Sequence, residues 1–162
     1  MFRIESEAKL SRTGKLNLKG RTIRTPIMWI SYEFFNPPNL WNYVNIEGLL
    51  VNIHNIDDTK SLLIDLKKKG DLRKVIKFEG FLMLDCGGVK FANHPKTYNV
   101  KRILSLHSII RPDIIISADY PISPRKSLIE NQQRKERTLK NLKKFLREVD
   151  NGIVIMPVIH GY

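Results

Sequence analysis

Three continuous apolar runs in this chain each end on an ionisable side chain, and helix-like sequence separates them. Phe81-Leu82-Met83-Leu84 delivers Asp85, with Gly87 and Gly88 close behind. Ile114-Ile115-Ile116-Ser117-Ala118 delivers Asp119, and Tyr120-Pro121 breaks the segment. The run from Ile153 to Ile159 delivers His160 and Gly161. Runs without polar alternation suit strands covered on both faces, and helices between them make such strands parallel. In parallel α/β architecture the carboxyl ends of the strands share one face, where ligands bind. Asp85, Asp119 and His160 are therefore expected on a common rim.

The other segments fit the same plan. Ile27-Met28-Trp29-Ile30 opens the series, and Leu49 to Ile53 is a further buried run ending near His54 and Asn55. Asp57-Asp58 is expected to cap Thr59 to Lys69, where Leu62, Leu63 and Leu66 recur at helical spacing, and Asp71 to Phe78 holds another turn or two. A helix starting at Tyr98 or Asn99 and running through Ile110 sets Ile103, Leu106, His107 and Ile110 on one face, and Arg111-Pro112 stops it, because a residue before proline is pushed out of helix. Ser127 to Val149 reads as a long basic helix with Leu139, Leu142, Phe145, Leu146 and Val149 turned inward. Ahead of these, Phe2 to Glu5, Gly14 to Gly20 and Arg21 to Thr25 alternate, which suits an antiparallel lid or hairpin closed by Pro26. The expected organisation is a single α/β domain over 1–162, with a β-hairpin entrance over 1–26 and βα units over 27–162. A closed eight-stranded barrel takes about 250 residues. Five runs in a shorter sequence, with no helix after the last, predict a partial (β/α)8 TIM-type barrel.

Composition narrows the function classes. A chain of 162 residues with 42% hydrophobic and 27% charged residues has enough apolar sequence for one core. Lys+Arg 28 against Asp+Glu 16 gives a net charge of +12. That excess suits a polyanion, since cations gain by displacing counterions from phosphates, although solvated helix faces would also account for it. One cysteine excludes an internal disulfide, and with scattered histidines it gives no zinc cluster. No apolar run approaches the roughly 20 residues of a membrane span, and the opening residues form no secretory segment. A soluble, reduced, cytoplasmic chain is expected.

Asp85 and Asp119 are the leading chemical candidates. Two carboxylates at neighbouring strand ends can divide labour, one exchanging a proton and the other accepting substrate N–H groups. Each could instead cap a helix or tie down a loop. Gly87 and Gly88 would let backbone approach a ligand closely, or simply form a turn. Cys86 would be a nucleophile only with a lowered pKa, and nothing local supplies one, so a packed side chain is the simpler reading. His160 could hydrogen-bond a carbonyl or serve as acid or base, or stand idle in solvent. His54 and Asn55 could line the same rim. His94 and His107 are given no role.

Leu84-Asp85-Cys86-Gly87-Gly88, Ser117-Ala118-Asp119-Tyr120-Pro121 and Pro157-Val158-Ile159-His160-Gly161, in that order, resemble the tRNA-guanine transglycosylase family (queuine/archaeosine tRNA-ribosyltransferase-like). Gly14-Lys15-Leu16 and Arg24-Thr25-Pro26 are similar to its amino-terminal strands. The likeness covers essentially the whole chain but about the first half of a family member. It implies a (β/α)8 barrel that exchanges guanine in nucleic acid for a 7-deazaguanine base. By the same resemblance Asp85 is the acid-base aspartate near the glycosidic bond and Asp119 accepts from the N–H edge of the base. His160 falls where the family has a glutamine that donates to the base carbonyl, and Gly161, Cys86, Gly87 and Gly88 fall among the substrate-binding positions. Cys86 replaces a serine, and Val89 stands where an aromatic stacks on the base, a contact worth about 1–3 kcal/mol in single-strand binders. Tyr120-Pro121 and His160-Gly161-Tyr162 are more similar to the DNA-modifying branch.

The resemblance implies no cofactor held by this sequence, because the family's Cys/Cys/Cys/His zinc site and nucleophilic aspartate have no counterparts in it. The expected protein is transglycosylase-like, binds tRNA or DNA and a guanine or 7-deazaguanine base, and is inactive alone. A second subunit could complete the barrel; a truncated product is the other history. A non-catalytic nucleic-acid-binding module and an unrelated barrel enzyme acting on a small anion are the competing classes.

Overall fold

The computed structural model describes residues 2–34, 39–93, 99–149 and 152–160. Its alternating opening forms an antiparallel sheet of three strands, β1 (Phe2–Ala8), β2 (Ser11–Leu18) and β3 (Arg21–Thr25). The expected hairpin is β2–β3, with Leu18 opposite Arg21 and Lys19-Gly20 as the loop. Both loop residues have positive φ, 50° and 78°, as a two-residue hairpin turn requires. The alternation from Phe2 to Glu5 is a strand too, β1, which runs on to Ala8 and is exposed along its whole length. Gly14 does not bound a strand but lies within β2. A Cβ there would meet the Phe2 ring at 2.8 Å and Arg3 O at 2.5 Å.

The apolar runs form a five-stranded parallel sheet in chain order. Its strands are β4 (Trp29–Tyr32), β5 (Gly48–Asn52), β6 (Phe81–Asp85), β7 (Ile114–Ile116) and β8 (Val154–Met156). Between them run α1 (Ile53–Asp57), α2 (Lys60–Lys69), α3 (Leu72–Ile76), α4 (Gly88–Asn93), α5 (Val100–Ile110) and α6 (Leu128–Glu148). Side-chain alternation splits the sheet into two faces. Leu49, Val51, Leu82, Leu84 and Ile115 pack with Leu66, Leu72, Ile103, Ile110 and Phe145 of the helices. Phe81, Met83 and Ile114 face the other way and pack with Leu18 and Ile23 of the antiparallel sheet. The result is an α/β fold with helices on one face and a β-layer on the other. Among the described residues β4 and β8 are the sheet's two edges.

Several boundaries differ from the sequence reading. Asn52 ends β5, and its side chain accepts from His54 N at 2.9 Å, so Ile53, His54 and Asn55 begin a short helix rather than finish a strand. Asp57 closes that helix and pairs with Arg102 instead of capping α2, whose preceding residue is Thr59. Asn99 and Ser127 cap α5 and α6, and Ser127 forms a capping box with Glu130. Leu139 and Leu146, expected inside, are 47% and 62% exposed, whereas Phe145 is fully buried.

Lys19 Nζ donates to Pro112 O at 3.1 Å and Arg21 Nη2 to Glu79 O at 2.6 Å, and both acceptors precede the strands they lead into. The layer is therefore tied to the strand-start end. Arg73 ties that end together, donating to Gly80 O at 3.2 Å and Arg111 O at 2.8 Å and pairing with buried Asp113, which also accepts from Leu82 N at 2.9 Å.

Candidate functional site

Asp85 is the last residue of β6, directly opposite Asn52 in the ladder. Asn52 Nδ2 donates to Asp85 Oδ2 at 3.1 Å, and Gly87 N donates to Oδ1 at 2.9 Å. Because Asn52 Oδ1 is taken by His54 N, its amide group must point at Asp85. Helix capping on one side thus fixes the orientation of a carboxylate on the other. Sequence reasoning did not single out Asn52; its signal was a polar residue closing a buried strand, like Asp85 itself.

The two glycines serve contact rather than flexibility alone. Gly87 has φ 64°, and a Cβ there would lie 2.3 Å from the ring of buried His54, whose Nε2 is 3.3 Å from Gly87 O. A Cβ on Gly88 would lie 2.1 Å from Asp119 Oδ1. Asp119 follows β7 in the loop to α6, is 8% exposed, and has its Oδ2 2.8 Å from His160 Nε2. Helix α6 clamps that loop: Tyr120 N donates to Thr138 Oγ1 at 2.9 Å and Asn141 Nδ2 to Ala118 O at 3.1 Å. Arg134 adds a bond to Pro121 O at 2.6 Å. Ser117 N donates to Met156 O at 3.0 Å, which keeps the Asp119 and His160 loops side by side.

A cleft of about 330 Å³ opens beside Asp85, lined by Ser31, Glu33, Asn52, Asn55, Gly87, Gly88 and Val89. Gly88 borders both this cleft and Asp119, so Asp85, Asp119 and His160 meet around one short stretch of backbone. Cys86, at 1% exposure, is packed in the main core. Burial pushes its thiol well above the usual range, and the nearby Asp85 and Asp119 carboxylates push it in the same direction, which leaves it protonated and a poor nucleophile. Val89 is exposed on the cleft wall, and His107 is buried on α5. Gly161 and His94 lie outside the described residues.

A larger hollow of about 470 Å³ lies at the opposite, strand-start end, beside Arg21, Trp41, Glu47, Lys77 and Glu79. Its charged residues are all exposed, whereas the rim holds a buried aspartate paired with a histidine. Environment, not volume, makes the rim the candidate site. Among the described residues no group of three or more His, Cys, Asp or Glu could hold a metal, and no helix is long and apolar enough to cross a membrane.

Comparison with protein families matches residues 7–162 to the family described as queuine tRNA-ribosyltransferase (TGT). No curated protein matches the chain.

Proposed function

The chain belongs to the queuine tRNA-ribosyltransferase family, and from that premise we propose that its rim takes a guanine or 7-deazaguanine base of a nucleic acid. Asp85 then stands beside the glycosidic bond, and Asp119 with His160 reads the base edge. A carboxylate has about four lone-pair positions, so Asp119 can accept from His160 and still accept the parallel N–H groups of a guanine-type edge. Its bond to Asp119 makes Nε2 the donor nitrogen of a neutral His160. Donation from the other ring nitrogen to a base carbonyl requires the imidazolium. The observation that carries this reading is Gly88: only a residue without a side chain lets the Asp119 carboxylate lie against the backbone that borders the Asp85 cleft.

Asp85 is held as an acceptor through both oxygens, by Asn52 and by Gly87 N–H. That orientation suits proton transfer at the sugar–base bond, with Gly87 and Gly88 giving the base close access to backbone. The polymer is tRNA or DNA, and the net charge of +12 favours either through phosphate contacts.

Exchange itself needs an attacking carboxylate, for which this sequence offers no candidate, so the chain alone binds a base without exchanging it. A second polypeptide that pairs with edge strand β8 would supply the nucleophile and extend the sheet towards a barrel. Exposed Val154 and Met156 on β8, next to buried Ile114, support that addition. The family zinc set does not fit the residues present, since the single cysteine, Cys86, is buried in the core.

The test uses labelled guanine and a guanine-bearing oligonucleotide. The purified chain binds the free base, incorporates none, and loses about tenfold or more in base affinity on Asp119→Asn, which replaces one acceptor by a donor. Incorporation by the chain alone would overturn the partner requirement. Unchanged base affinity in both Asp119→Asn and Asp85→Asn would favour a plain nucleic-acid-binding module.

A further inference from the structure

Helix α6 is 21 residues long and buries one face through Asn131, Thr138 and Phe145. Leu128, Leu139 and Leu146 lie on another. At 100° per residue, spacings of eleven and seven place them within about 20° of one another. They are 85%, 47% and 62% exposed. Leu139 and Leu146 line a shallow hollow of about 580 Å³ with Lys140, Lys143, Arg147 and Glu136. Among the described residues Glu136 is held by Gln132, and none of the three cations forms an ion pair. Among the described residues, an aliphatic stripe in a cationic frame is thus left uncovered.

We infer that this face of α6 docks an acidic amphipathic helix of a partner polypeptide, whose aliphatic residues cover Leu139 and Leu146 and whose carboxylates meet Lys140, Lys143 and Arg147. Charge decides among the possible occupants. A second copy packed through the same face would set these cations against their equivalents. A nucleic-acid backbone would satisfy the cations and leave the leucines in water. A lipid surface would have to take in Lys143, which lies between the leucines along the helix. Helix-in-groove packing with acidic flanks satisfies both features together. The inference goes beyond base exchange and stands or falls independently of it, because α6 turns a different face towards the Asp119 loop.

The test is fluorescence anisotropy on the full chain with a designed labelled peptide, on the order of twenty residues so that it holds a helix. One version carries a leucine stripe flanked by glutamates; its twin carries lysines instead. The glutamate peptide binds about tenfold or more tighter than the lysine peptide, since like charges oppose docking. Lys140→Glu combined with Lys143→Glu and Arg147→Glu reverses that preference. Leu139→Ser with Leu146→Ser weakens the glutamate peptide while the helical circular dichroism stays unchanged, both residues being exposed. Equal binding of the two peptides, or no binding of either, overturns the proposal. So does displacement of the glutamate peptide by oligo-dT or phosphatidylserine vesicles, or a sedimenting dimer that Leu146→Ser dissolves.

Discussion

Replacing Gly88 by alanine strikes the contact that joins the two halves of the rim. The new methyl carbon would lie 2.1 Å from Asp119 Oδ1 and 2.8 Å from its carboxyl carbon, where ordinary contact begins at 3.4 Å. The carboxylate must therefore retreat by about 1.3 Å, a displacement of the size that costs a positioned site about a hundredfold. The main chain around Asp119 cannot yield easily, because Thr138 and Asn141 of α6 hold the flanking Tyr120 N–H and Ala118 carbonyl. Relief must come from rotation of the Asp119 side chain, at the expense of its 2.8 Å contact with His160. Losing a charge-assisted hydrogen bond to the base costs about 1.5–3 kcal/mol, which is roughly 10- to 100-fold in affinity. Overpacking itself removes about 1–3 kcal/mol of stability. Equilibrium dialysis with labelled guanine, run on samples whose urea midpoint is also measured, separates the two effects. A folded Gly88→Ala protein that binds guanine within twofold of the parent would refute the placement of Asp119 on the base edge.

Three further outcomes follow from Arg73 and Cys86. Arg73→Ala leaves the Asp113 carboxylate buried without its cation, so the urea midpoint should fall by the equivalent of about 3–5 kcal/mol, and a change under 1 kcal/mol would show the strand-start lock to be slack. Cys86 should resist iodoacetamide at neutral pH until the chain unfolds, because its thiol is buried and held protonated. Its folded pKa lies above the unfolded one, so the associated stability is intact below about pH 8.5 and declines as the unfolded thiol ionises above that. Titration from pH 7.5 to 10 of the parent against Cys86→Ala isolates the effect as a difference in slope.

What the sequence revealed was whatever depends on neighbours along the chain. The run that delivers Asp85 is a strand to the residue, and Asn99 and Ser127 declare their helices because a cap acts within three residues of itself. Asn52 stayed hidden because its meaning lies in register: only pairing β5 with β6 sets it opposite Asp85, 33 positions away. The contact between His160 and Asp119 spans 41 positions and depends likewise on β7 and β8 being adjacent. The apolar pattern of α6 misled for a different reason. Leu139 and Leu146 obey a helical period as faithfully as Phe145 does, and periodicity marks an apolar face without saying whether anything covers it. Phe145 meets the sheet; the leucines turn a second stripe outward. A helix that satisfies its own fold with one face and keeps another apolar between cations carries leucines that the packing of the described residues does not use. That surplus calls for an external cause, and charge complementarity makes an acidic helix the one that uses both the leucines and the cations.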